Sequence, residues 1–343
     1  MQLLWIKRAV KAIVPPFIDS LGWYDYIIRA AESQQPIWLV LTYHRVISES
    51  TQDPYRLGMC VIKQTFKRQI AFFKEYFEPI QLGEGILRIQ QGSSMPHRAV
   101  SITFDDGYAD NLYNALPILQ QYAMPATIFV TTSGLEAGSP MWWDRVITAL
   151  YNTSETELTL ADIGIKIDIA VQKLNVLHCA ESVKQLLSIL WRYPIEQVQI
   201  FIERLEDILC TPYKYLALPE MMTFEQVTHL YKSGIEIGAH TVSHPNLTLM
   251  TYEEILREIR ESRQTLEALC GTEVRGFAYP SGYVNNTVIE AVKNLGFTYA
   301  VSCVRGLNRC VKDFFMIERI GAPESSVSDL KRCIAVLARR NPI

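Results

Sequence analysis

Two carboxylates stand side by side in the run Thr103-Phe104-Asp105-Asp106-Gly107-Tyr108. Adjacent acids resist joint ionisation unless a cation or a hydrogen-bond donor is close. The pair follows an apolar stretch, Val100 to Phe104, that reads as a strand, and its Asp-Gly step also fits a plain turn. A second cluster, His240-Thr241-Val242-Ser243-His244-Pro245, places two of the chain's six histidines four residues apart at another strand end. In a compact turn both imidazoles face one point, and two histidines with one carboxylate leave a coordination place for water. Either cluster alone suits a structural role, whereas together they point to a metal site. A third cluster, Arg275-Gly276-Phe277-Ala278-Tyr279-Pro280-Ser281-Gly282, opens on a cation and closes on a shaped turn. Taken alone, it is as well read as a surface arginine and an ordinary turn.

These clusters need a frame. Short runs rich in Ile, Val and Phe predict strands at Ile37–Leu41, Ala99–Phe104, Ala126–Val130, Ile235–Ile237, Arg275–Ala278, Tyr299–Cys303 and Phe315–Ile317. Helices alternate with them. Thr223 to Gln226, Thr251 to Glu254 and Thr287 to Glu290 each fit a capping box, and Gly234, Gly271 and Gly296 sit where a left-handed cap ends a helix. Alternating strands and helices predict an α/β fold with a parallel sheet, open or closed into a barrel. From about Val146 to Cys210 the rhythm breaks. A hairpin (Glu157–Leu160, then Lys166–Ile169) is expected there, followed by two helices. Leu174, Leu177, Leu186, Leu187, Leu190 and Trp191 give the first helix its apolar face, and Ile200, Ile202, Leu205, Ile208 and Leu209 serve the second.

In their order along the chain, Thr-Phe-Asp-Asp-Gly-Tyr, His-Thr-x-x-His-Pro and Arg-x-Phe-x-Tyr-Pro-x-Gly resemble the motifs of the polysaccharide deacetylases. These form carbohydrate esterase family four, the nodulation-factor deacetylase homology domain. The resemblance runs over roughly residues 36–145 and 211–320. It implies a distorted (β/α) barrel of about seven strands, with the site at the strand C-termini as in other barrels. The expected division is an N-terminal segment 1–35, a first barrel part 36–145, a mostly helical insertion 146–210 and a second barrel part 211–343. By the same resemblance Asp106, His240 and His244 bind a divalent metal, most often zinc. Asp105 is then the catalytic base, held and tuned by Arg275. The Tyr108 backbone N–H helps to stabilise the oxyanion, and Tyr279 and Pro280 line the groove.

The implied activity is metal-dependent removal of an N-acetyl group from an amino sugar, in a polysaccharide or a lipid-linked glycan precursor. Water activated by a metal, a base beside it and a stabilised oxyanion are what amide hydrolysis needs. The leaving amine also needs a proton. Many family members supply it from a Leu-x-His motif near the C-terminus, but here no histidine follows His244, and Glu318-Arg319-Ile320-Gly321 occupies the region. His44 ends the first strand in Leu41-Thr42-Tyr43-His44-Arg45 and is either a catalytic acid or a structural residue. Met141-Trp142-Trp143-Asp144 matches a further family motif by composition alone. The competing reading is a carbohydrate-binding pseudoenzyme that keeps the groove without turnover.

Composition excludes other classes. With 343 residues, 49% apolar and 20% charged, the chain is neither disordered nor fibrous. A net charge of −3 argues against nucleic acid as the main partner. Seven cysteines without a CxxC pair read as free thiols of a reducing compartment. Near the N-terminus Lys7, Arg8 and Lys11 interrupt the apolar residues, so no leader of continuous apolar character is expected. Instead the spacing predicts an amphipathic helix with a basic side, ended by Pro15-Pro16. It either packs on the domain or touches anionic lipid through residues 1–18. A cytoplasmic location, peripheral at the inner face of the membrane, is the matching expectation.

Overall fold

A computed structural model describes residues 15–32, 36–48, 59–136, 138–165, 173–175, 180–212 and 220–340. The strands are β1 (Ile37–Tyr43), β2 (Arg45–Ile47), β3 (Cys60–Ile62), β4 (Glu78–Pro79), β5 (Arg98–Phe104), β6 (Ala126–Val130), β7 (Glu157–Thr159), β8 (Lys173–Asn175), β9 (Glu236–Ala239), β10 (Gly276–Ala278), β11 (Tyr299–Arg305) and β12 (Ile317–Gly321). Seven of them close into a barrel in the order β1-β12-β11-β10-β9-β6-β5, with β5 pairing back onto β1. The closing pair runs from Ile37 opposite Arg98 to Tyr43 opposite Phe104, and every ladder around the barrel is parallel. β4 extends the edge of β5 below the point where β6 joins it.

Strand sequences such as Ile-Trp-Leu-Val-Leu-Thr-Tyr are apolar on both faces because both are covered, as parallel sheets require. Alternation sorts the side chains. Trp38, Val40, Ala99, Phe129, Ala278, Tyr299, Val301 and Ile317 fill the interior. Leu39, Leu41, Val100, Ile102, Ile128, Ile237, Phe277 and Ile320 face the surrounding helices. The barrel therefore is packed through, and chemistry is confined to its ends.

Two expected strands shift. The fourth barrel strand along the chain is β9 at Glu236–Ala239 rather than Ile235–Ile237, and the last is Ile317–Gly321 rather than Phe315–Ile317. Capping boxes at Thr223 and Thr251 are both present. The box expected at Thr287 is not formed: Asn285 caps that helix instead, accepting from the Val288 N–H at 3.0 Å, which leaves Thr287 already inside the first turn. Pro15 and Pro16 are themselves helical, in residues 15–20, instead of ending a helix. The basic stretch before them lies outside the described residues. Among the described residues no helix is long and apolar enough to cross a membrane.

Between β6 and β9 the chain builds a second apolar cluster from Trp142, Trp143, Ile147, Leu158, Leu186, Leu190, Ile202 and Leu205, among others. The helix Trp142–Asn152 straddles the boundary expected at 145/146. β7 pairs antiparallel with β8, so Leu174 lies on a strand and not on the helix Ala180–Leu190. The partner strand expected at Lys166–Ile169 falls outside the described residues.

Gly238 in β9 marks the tightest packing near the site. An added Cβ there would fall 2.4 Å from the Phe129 ring and 3.2 Å from the Gly276 carbonyl oxygen. Gly238→Ala should therefore destabilise the barrel by about 1–3 kcal/mol, the usual cost of overpacking, read as a lower denaturant midpoint at unchanged m-value.

Candidate active site

The two aspartates and two histidines follow the C-terminal ends of β5 and β9. Asp105 continues the inward parity of β5, and its N–H still joins the ladder by donating to the Tyr43 carbonyl at 3.0 Å. Continued alternation would turn Asp106 outward. Instead Asp106 adopts φ +75° and Gly107 φ +95°, while the Asp106 carbonyl accepts the Thr131 N–H at 3.0 Å. That left-handed turn swings the second carboxylate toward β9. A non-glycine residue at positive φ is strained, and such strain gathers at functional sites.

His240 follows β9, its N–H bonded to the Val130 carbonyl at 3.1 Å. The loop to His244 is bent at Thr241 (φ +66°) and at His244 itself (φ +53°). Glu258, buried on the helix Tyr252–Cys270, holds this loop. Its Oε2 accepts the Val242 and Ser243 N–H groups at 2.9 and 3.0 Å, and its Oε1 accepts the Ser243 hydroxyl at 2.8 Å.

Asp106, His240 and His244 converge, all buried, with one ligand atom from each lying within 4.8 Å of the others. His240 Nε2 is 3.5 Å and His244 Nε2 3.4 Å from Asp106 Oδ1. Those separations are long for hydrogen bonds, which favour about 2.9 Å. They match the edge of about 3.3 Å between ligands of a tetrahedral ion with bonds near 2.0–2.1 Å. His240 Nδ1 lies 2.8 Å from the Ala278 carbonyl. A carbonyl only accepts, so Nδ1 carries the proton and Nε2 presents a lone pair. Asp106 Oδ2 has no hydrogen-bond partner. Burial and the neighbouring His240 push the His244 imidazole down to about 3, so it stands neutral. Burial also lowers His240, but contact with Asp106 and the charges of both aspartates outweigh it and raise its pKa; a metal would displace that proton. The donor set fits a divalent ion of the zinc type.

Asp105 has a different partner. Arg319 on β12 grips both of its oxygens, Nη1 to Oδ1 at 2.8 Å and Nη2 to Oδ2 at 2.7 Å. The same guanidinium donates to the Ser302 carbonyl at 3.0 Å and to Thr103 Oγ1 at 3.3 Å. Burial opposes ionisation of Asp105, yet the Arg319 charge and hydrogen bonds outweigh it and hold the carboxyl well below the usual range.

Arg275 does not have the role expected of it. It precedes β10 at the strand's N-terminal end, is half exposed, and pairs with Glu273 at 3.2 Å. Parallel strands put that end opposite the site, so the guanidinium beside Asp105 comes from Arg319. Tyr279 is likewise displaced: alternation from the inward Ala278 turns it outward onto Phe277, with ring centroids 5.4 Å apart. Pro280 is buried in the following turn. On this segment Ser281 and Tyr283 line the cavity instead. Tyr108 is buried, its hydroxyl donating to Asp144 Oδ2 at 2.9 Å and accepting from Trp143 Nε1 at 2.8 Å. The flanking bonds, Ala109 N–H to Glu220 and Met222 N–H to Gly107, turn the Tyr108 N–H away from its bridge partner Met221. His44 is where the sequence puts it, lining the cavity with Asp105, Asp106, His240 and His244.

The cavity measures about 500 Å³. Beyond the strand ends it is walled by Trp143, Ile147, Lys184, Leu187, Ser188 and Trp191. Trp143 and Trp191 pack on the His244 ring at 4.5 and 5.5 Å. Arg319, Glu258 and Trp191 were not legible as site residues. Only Arg319 left a signal, as a charge within an apolar strand at inward parity with Ile317.

A sequence model of the family described as polysaccharide deacetylase matches residues 92–155 and 176–300. The chain is 19% identical to the Bacillus subtilis protein YxkH over 282 residues, 82% of this chain and 70% of that one. It is 31% identical over 104 residues to a poly-beta-1,6-N-acetyl-D-glucosamine N-deacetylase of Staphylococcus epidermidis, 28% of this chain but only 36% of that protein's length. Among solved structures, the deacetylase PplD of Streptococcus pyogenes in complex with acetate superposes with a TM-score of 0.58 at 18% identity. The superposition covers 88% of this chain and 99% of that one, a likeness of fold.

Two substitutions separate positioning from packing. Glu258→Ala should lower zinc affinity about 10–100-fold, the usual effect of removing a group that orients ligands, measured by equilibrium dialysis. Unchanged affinity would reduce Glu258 to a packing role. Arg319→Ala should cost about 3–5 kcal/mol of stability by stranding the Asp105 carboxylate, whereas Arg275→Ala should leave stability within about 0.5 kcal/mol.

Proposed function

The chain belongs to the polysaccharide deacetylase family, and from this and the Asp106-His240-His244 trio we propose that it is a metal-dependent hydrolase that removes the N-acetyl group from an amino sugar of a glycan. The observation that carries the proposal is the separation of two adjacent aspartates. One is locked to a guanidinium, and the other turns Oδ1 toward two imidazoles in the same cavity and leaves Oδ2 without a partner. A binding protein without turnover needs no such division, since recognition of a sugar does not call for an ionised carboxylate beside a metal site.

A zinc or similar ion held by Asp106, His240 and His244 would polarise the acetyl carbonyl and acidify a water toward neutrality. Asp105 keeps its charge through Arg319 and takes the proton of the attacking water. The new C–O bond forms as the amide carbon becomes tetrahedral, and the Tyr108 N–H is the backbone donor for the oxyanion. Collapse breaks the C–N bond, giving acetate and a free amine that needs one proton. His44 is the imidazole on the cavity wall that would give it. The substrate is a polysaccharide or a lipid-linked precursor. A cytoplasmic site of action at the membrane face belongs to the same proposal and rests on the sequence, with its scattered cysteines and basic N-terminal stretch.

Acetate release from N-acetylated glycans should stop on chelation and return with added zinc. Asp106→Ala and His240→Ala should lose bound metal, and stoichiometric metal in both would refute the ligand assignment. Asp105→Asn should keep the metal while acetate release collapses; wild-type turnover there would remove Asp105 from the mechanism. His44→Ala should keep metal and fold but slow turnover about 10²–10⁴-fold, the worth of a positioned acid. A nearly intact rate would leave the proton return to Asp105.

A further inference from the structure

The rim of the cavity is closed on one side. Moving around the barrel, the wall rises over β6 and β9 as Trp143 and Trp191, both outside the barrel strands, and reaches Tyr283 beyond β10. Trp191 and Tyr283 meet at the rim with ring centroids 5.9 Å apart and planes tilted by 41°. A sugar passing between two rings needs about 3.5–4.0 Å to each face, hence some 7–8 Å between them. No glycan chain threads that gap.

Nor is the barrier a loose flap. Trp191 packs on Trp142 at 4.7 Å, and its carbonyl accepts the Asn246 side-chain N–H at 3.0 Å, two residues beyond His244. Its own N–H donates to the Leu187 carbonyl at 3.0 Å, prolonging the helix Ala180–Leu190 to the rim. The wall is thus tied to the loop that carries two of the three proposed ligands. Across from it the cavity border is formed by Cys303 within β11, Gly321 at the end of β12 and His44 just after β1.

We propose, on the deacetylase reading above, that the enzyme acts on the end of a glycan, entering from the β11–β12–β1 side and stopping against Trp191 and Tyr283. Its substrate class is then a terminal N-acetylamino sugar of a short or carrier-linked glycan, and sugars in the interior of a long polymer are excluded because their chain must leave the site on both sides.

The test uses the zinc-loaded full chain and short N-acetylated hexosamine oligomers labelled at one end, with the position of each lost acetyl group mapped by fragmentation mass spectrometry. Acetate should come from one terminal sugar, interior positions being slower by at least about tenfold, an ordinary magnitude for discrimination by pocket shape. Trp191→Ala and, from the other side of the contact, Tyr283→Ala should each raise the ratio of interior to terminal deacetylation. The second variant keeps the test decisive if the first disturbs the packing on Trp142. Comparable interior and terminal rates in the wild type would overturn the inference while leaving the deacetylase reading intact, as would an unchanged ratio in both variants. No acetate from any oligomer by zinc-loaded protein would overturn that reading, and the inference with it.

Discussion

At the mouth of the barrel one carboxylate is gripped through both oxygens by a guanidinium, while its neighbour in sequence is left with a bare oxygen. Left alone, Asp105 and Asp106 would share a proton, since two adjacent buried carboxylates do not both ionise. Arg319 resolves the conflict by neutralising the first, and the His240-His244 pair receives the second. A buried ion pair of this kind is poor evidence of added stability, because desolvation offsets most of its attraction. Its use is positional. The fork geometry of arginine fixes the plane of the Asp105 carboxylate, which a lysine would not do.

That arrangement depends on strand parity and on closure of the barrel. Arg319 and Asp105 both point inward because β12 and β5 flank β1, each in parallel register with it. Parity also explains which of the residues singled out in the sequence come together at the cavity. Asp105, Asp106 and His240 were legible because they directly follow a strand, and His244 because it shares the short loop that His240 opens. Arg275 was misplaced because the same strand has two ends, and the motif does not say which of them a residue occupies. Tyr279 failed by one step of alternation. Arg319 is not legible because the apolar run that marks the last strand ends at Ile317, two residues before the side chain that matters. The fold itself, fixed by seven apolar runs alternating with capped helices, needed none of these details.

What no local pattern reveals is support from a distance. Glu258 lies on a separate helix and reaches the His240–His244 loop only once the barrel is built. Its three accepted hydrogen bonds offset the left-handed conformations at Thr241 and His244, which would otherwise relax and separate the imidazoles. His244 receives a second constraint from Trp143 and Trp191, in place of a hydrogen bond at Nδ1, which has none. One proposed ligand is therefore fixed by a carbonyl, at Ala278, and the other by aromatic packing. The indoles that do so also form the wall, so substrate access and ligand geometry share residues.

The grip on Asp105 has a chemical consequence. A base works best when its pKa lies near the working pH, and the pairing that keeps Asp105 ionised also makes it a weak base. As the proposed base it would accept a proton readily only from a water already acidified, which would tie its action to an occupied Asp106-His240-His244 site. The same pairing would make a protonated Asp105 a ready proton donor. Among the residues lining the cavity His44 is the imidazole not assigned to the metal. On the proposed mechanism, a weak base at Asp105 and a separate imidazole at His44 would divide proton uptake from proton delivery between β5 and β1, which are neighbours along their whole length.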